Sequence, residues 1–131
     1  MTYRDLYTSA VGMTGEEIGG DSIGDYEEAA PYLLATFCMD AAEIDRRYRL
    51  AHGLAAATLP SVARVEMDNK FPLSDALAPA ATYYLAAMLV ADENEKLSDR
   101  LFTLYTDSIS AIVTTLPCEI CPVEDRYRIY P

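Results

Sequence analysis

The chain has 131 residues and a mass of 14.4 kDa, the size of one ordinary domain. Apolar residues make up 51% and charged residues 24%, a globular balance that excludes a wholly disordered chain. Ten Lys and Arg against 21 Asp and Glu leave a formal charge of −11, which disfavours general nucleic-acid binding because the average surface repels a phosphate backbone.

Thr2 is positioned to cap a first helix, with Asp5 three residues on and Tyr3, Leu6, Tyr7 and Ala10 along one face. That helix is expected to end near Gly12, because five of the six glycines (Gly12, Gly15, Gly19, Gly20 and Gly24) fall within thirteen positions and predict a flexible loop over residues 12–24. Asp25, Glu27 and Glu28 suit the positive end of a second helix. Its apolar stripe runs through Leu33 or Leu34, Phe37, Ala41, Ile44 and Tyr48, with Asp40, Glu43, Asp45, Arg46 and Arg47 opposite and Gly53 as the stop. Pro31 predicts either a bend or a true start at that residue.

Residues 55–71 carry no sustained periodicity and fit either a short helix or an extended segment. Ser74 with Asp75 then reads as the cap of a third helix, where stripes through Leu77, Ala81, Tyr84, Met88 and Ala91 and through Tyr83, Ala87 and Val90 predict burial on more than one side. Asp92 to Glu95 reads as a polar turn. Ser98 with Asp99 is the expected cap of a fourth helix, whose seam through Leu101, Leu104, Tyr105, Ser108, Ile112 and Leu116 runs to Pro117. Residues 117–131 form an extended C-terminal arm in which Tyr127-Arg128-Ile129-Tyr130 alternate with period two. The whole chain is therefore expected to be one all-α domain, a small bundle of about four to five amphipathic helices with a glycine-rich loop and an extended arm.

Motifs that resemble chemistry lack its context. Gly20-Asp21-Ser22-Ile23-Gly24 matches the nucleophile-elbow spelling, and His52 with Asp25, Asp40 or Asp45 could complete a triad on paper. The elbow needs a strand before it and a parallel sheet beneath it, and neither is indicated. The same loop has no Gly-Lys-Ser/Thr for phosphate and no alternating oxygen ligands closed by a Glu for calcium. Cys118-Glu-Ile-Cys121, with Cys38 and His52, gives a numerically complete zinc set, yet Cys38 lies on an apolar helix side and the pair follows a helix-ending proline instead of a strand. His52 suits a contact at a helix C-terminus. No enzyme, metal or other cofactor is expected.

Three cysteines are an odd number, too few for a disulfide scaffold, and suit a reducing compartment such as the cytoplasm. No apolar run reaches the roughly 18 residues of a membrane span, and the first residues lack a secretory pattern, so no membrane partner is expected. Ten tyrosines without a tryptophan point to protein contacts, since Tyr gives wide contact area at low entropic cost. Tyr48, Tyr84 and Tyr105 suit the core edge. Candidate interface residues are Tyr127, Arg128, Ile129 and Tyr130 on the arm, and Arg46, Arg47 and Arg49, which form the basic cluster at the end of the second helix. For those arginines, pairing with Glu43 and Asp45 on a solvated helix end is the plainer reading.

Phe71-Pro72-Leu73-Ser74-Asp75, Ala78-Pro79-Ala80, Tyr83-Tyr84-Leu85-Ala86-Ala87-Met88-Leu89, Asp92-Glu93-Asn94 and Leu97-Ser98-Asp99-Arg100-Leu101-Phe102 resemble small proteins encoded among the head-morphogenesis genes of tailed bacteriophages and prophages. Asp25-Tyr26-Glu27-Glu28-Ala29-Ala30-Pro31-Tyr32 adds to the likeness, which covers roughly residues 25–105. It implies a head–tail connector, or head-completion, subunit: helical, assembled as an oligomeric ring beneath the portal, contacting portal and tail-completion proteins. It also implies assembly in the bacterial host cytoplasm and residence in the virion. An acidic ring lining that does not trap DNA is compatible with the charge. The alternative expectation is an acidic DNA mimic or regulatory protein occupying a basic site on a nuclease or repressor.

Overall fold

The structure is a computed structural model that describes residues 1–15, 23–59 and 61–117. These hold five α-helices: α1 (Tyr3–Thr14), α2 (Ile23–Asp40), α3 (Ala42–Ala51), α4 (Ala78–Val90) and α5 (Glu95–Thr115), with a short 3₁₀ turn at Asp75–Leu77. Among the described residues no β-strand occurs, only an isolated antiparallel bridge between Thr2 and Lys70. The protein is a small all-α bundle.

The start of α1 follows from its sequence. The Thr2 side chain accepts from the Asp5 backbone at 3.2 Å while Asp5 accepts from the Thr2 backbone at 2.9 Å, so two otherwise orphaned donors are satisfied reciprocally. Gly12 does not end the helix. It continues to Thr14, and Gly15 closes it at φ 78°, a left-handed conformation that only glycine adopts without strain. At the other side of the expected loop, Ile23 and Gly24 already belong to α2, so both ends of the expected 12–24 loop are helical. Residues 16–22 lie outside the described set.

Pro31 neither starts nor ends α2, which runs through it with the ring buried. Only one backbone donor is lost there, the one that would have met the Glu27 carbonyl; separately, the Pro31 carbonyl accepts from Val65 N at 3.3 Å, which ties the segment around Val65 to the helix. The long second helix expected from the stripe is two helices, since a turn at Ala41 separates α2 from α3. The apolar stripe survives the break: Leu34, Phe37 and Ala41 are buried and Ile44 is half-buried.

Helix α4 is the centre of the bundle, packed by α5, α1 and α2. Ala80, Ala81, Leu85, Ala86 and Ala87 are all fully buried, and the small alanines let neighbouring backbones approach on several sides at once. This is the multi-sided burial expected from the sequence, except that Met88 and Ala91, at the far end of the predicted stripe, are exposed. Against α4, Phe37 stands 5.6 Å from Tyr84 and 6.2 Å from Tyr105 between ring centroids, and 6.5 Å from Phe71, which Tyr3 meets edge-on at 6.0 Å. Such ring pairs add about 0.5–1.5 kcal/mol each beyond their buried area.

Helices α4 and α5 start differently from the reading of Ser74 and Ser98 as caps. Asn94 caps α5, its side-chain oxygen accepting from Leu97 N at 3.1 Å, so the helix begins at Glu95. Ser98 lies within α5 and donates to the Ala87 carbonyl of α4 at 2.9 Å. Ser74 makes no capping bond, because its hydroxyl is engaged elsewhere. The α5 seam also needs correction: Leu101 and Leu116 are buried and Tyr105 and Ile112 half-buried, but Leu104 is 41% exposed. The described residues between 54 and 74 hold no regular element.

Candidate functional site

The most constrained polar cluster centres on Asp45, which is 1% exposed. Helix α3 places it one turn before Arg49, and the Arg49 Nε donates to one carboxylate oxygen at 2.9 Å. The other oxygen accepts from the Ser74 backbone at 2.8 Å and the Ser74 hydroxyl at 2.6 Å. Arg49 then spreads its remaining arms to the carbonyls of Ala55 at 3.2 Å and Pro72 at 3.0 Å. A buried carboxylate is costly unless its lone pairs are filled, and here three donors fill them. The cluster therefore clamps α3 to both ends of the irregular 54–74 segment, fixing where α4 begins.

This arrangement leaves Asp45 little capacity for proton transfer, since its accepting directions are occupied by fixed donors. His52, the other half of the triad conceivable on paper, is exposed at the C-terminus of α3, where its Nδ1 is 3.0 Å from the Tyr48 carbonyl and its ring stacks on Tyr48 at 4.2 Å. It is the contact at a helix end that the sequence suggested. Ser22 lies outside the described residues.

Cys38 is buried against Tyr3, sulfur to hydroxyl at 3.8 Å. Burial, with a smaller push from the Asp45 charge, raises its thiol above the ordinary value, while the Tyr3 contact opposes the shift. It is a packed, protonated thiol. Among the described residues no group of three or more His, Cys, Asp or Glu side chains could hold a metal ion; Cys118 and Cys121 lie outside them.

The basic cluster is divided by its partners. Arg46 forms an exposed two-pronged pair with Glu43 at 2.9 and 2.6 Å. Arg47 reaches the Pro117 carbonyl at 3.5 Å, joining α3 to the end of α5, and its Nε is buried without a hydrogen-bond partner among the described residues. Arg49 is turned inward as part of the Asp45 clamp. Of the three, only Arg46 is an exposed residue; Arg47 and Arg49 are half-buried. Tyr127, Arg128, Ile129 and Tyr130 lie outside the described residues.

Two tyrosines at the core edge have raised hydroxyl pKa values. Burial is the larger cause for both Tyr84 and Tyr105, and the Asp40 carboxylate adds to it. Tyr48 is half-buried, as expected. Large apolar side chains are exposed at Met39, Leu50 and Leu54, and also on α5. From Phe102 to Thr115 the helix has no fully buried residue, and Phe102 and Leu104 are 48% and 41% exposed. A surface cleft of about 630 Å³ beside the clamp is lined by Tyr48, Arg49, Thr58, Lys70, Pro72 and Asp75, among others, and mixes both charge signs.

No described helix is long and apolar enough to cross a membrane. No family of proteins, curated protein or solved structure matches this chain.

Proposed function

We propose that the chain is a structural subunit of a tailed-phage or prophage head–tail connector, which self-associates into an oligomeric ring and contacts portal and tail-completion proteins. The observation that carries the reading is α5, a helix of 21 residues that keeps Phe102 and Leu104 near its middle in solvent. Water-exposed Phe and Leu on a rigid helix favour a protein partner, because covering such a side chain is worth roughly 1.5–3 kcal/mol. The sequence resemblance over residues 25–105 supplies the kind of assembly. Polar groups near the core support a framework role as well, since the Asp45 carboxylate is consumed in holding helices together. In this role the protein needs no cofactor, assembles in the host cytoplasm and resides at the head–tail junction of the virion.

The surface charge counts against the acidic-mimic alternative. A mimic of DNA needs negative charge undiluted on one face, whereas Arg4 pairs with Asp68, Arg46 with Glu43 and Arg64 with Glu66 across the exposed surface.

Co-sedimentation of the full chain with purified portal particles tests the proposal. Saturable binding is expected, and portal particles that sediment without it at high concentration would overturn it.

A further inference from the structure

The exposed side of α5 carries a pattern that complements itself. Arg100, Leu104 and Asp107 recur at i, i+4 and i+7 and therefore share one face, beside the seam that packs on α4. All three are exposed, Leu104 by 41%. Neither Arg100 nor Asp107 has an ion-pair partner among the described residues. One turn towards each end of the same face lie the half-buried Leu97 and the exposed Ala111, the latter small enough to let another helix approach.

The two charges are opposite and lie on either side of the leucine, separated by two turns, or about 10.5 Å. A second α5 laid antiparallel, with a two-fold axis passing between residues 103 and 104, sets each Arg100 opposite the other copy's Asp107. The same operation brings the two Leu104 side chains together at the centre. A parallel arrangement would instead oppose Arg100 to Arg100 and Asp107 to Asp107. Like charges so placed repel, so the sign pattern selects the direction as well as the partner.

We propose that this face of α5 is a self-docking surface, and that its occupant is the same face of a second copy of the chain in antiparallel orientation. The contact is isologous and closes at two copies. It is therefore a resting pair in solution and differs from the repeating contact of a ring. The inference extends the self-association in the proposed function, but the two fail separately: portal binding by a protein that never dimerises would leave the connector reading standing and sink this one.

Sedimentation equilibrium of the full chain reads the outcome. A species of twice 14.4 kDa is expected, and Arg100→Asp or Asp107→Arg alone should weaken the pairing by about tenfold or more, because each turns two attractions into two repulsions. Combining both substitutions should restore it, as the reversed charges again complement each other. Circular dichroism checks that the single variants stay helical. A protein monomeric up to millimolar concentration, or a dimer indifferent to the single charge reversals, would overturn the proposal.

Discussion

Replacing Asp45 with alanine removes the acceptor of three bonds at once. The Ser74 backbone N–H and hydroxyl lose their partner in a buried position, and Arg49, whose side chain is only 20% exposed, loses its counter-charge. Hydrogen bonds to a charged group contribute roughly 1.5–3 kcal/mol each, and breaking one partner out of a buried pair costs about 3–5 kcal/mol. The Arg49 bonds to Ala55 and Pro72 survive the change, which places the expected loss near the low end, at about 3 kcal/mol. For 131 residues an unfolding entropy of about 2.1 cal/mol/K per residue converts this into a Tm lower by about 11 °C. Thermal and urea unfolding followed by circular dichroism measure it, and a double-mutant cycle with Arg49→Ala isolates the coupling. A loss below about 1 kcal/mol, or strictly additive single variants, would refute the clamp as the joint between α3 and the 54–74 segment.

Enlarging Ala86, fully buried on the central helix, to leucine should destabilise by about 1–3 kcal/mol through overpacking, whereas Met88→Leu, at a site 43% exposed, should be nearly neutral in the same unfolding assay. Alkaline pH should unfold the protein through its tyrosines. Tyr84 and Tyr105 have pKa values raised in the folded state above the ordinary 10.0, so their contribution is intact below pH 10 and is lost as pH rises from there through the folded-state values. Ultraviolet titration of tyrosinate should thus coincide with loss of helicity, and tyrosines titrating near 10 in a fully helical protein would contradict the burial argument.

Features set by neighbours in the chain were legible from the sequence. The Thr2–Asp5 capping box, the burial of α4 on several sides and the half-buried positions of Tyr84 and Tyr105 all follow from short-range pattern. What escaped depends on residues far apart. Ser74 and Ser98 each carry the local signature of a helix cap, yet one is drawn to Asp45, 29 residues away, and the other to the Ala87 carbonyl of the preceding helix. Asp45 itself sits among Asp40, Glu43, Arg46 and Arg47 and looks like one more charge on a wet helix face. Its spacing of four from Arg49 was the available signal, but spacing cannot tell an exposed pair from a buried one. Leu104 fits the seam for the opposite reason: a stripe wide enough to include it spans more of the helix than α4 covers, and that excess leaves the leucine exposed.

The proposed role is docking of a helical framework onto a larger assembly. Electron microscopy of portal particles incubated with the protein tests that most directly: a continuous ring of added density at the portal's tail-facing end is expected, and particles unchanged at saturating protein would contradict it.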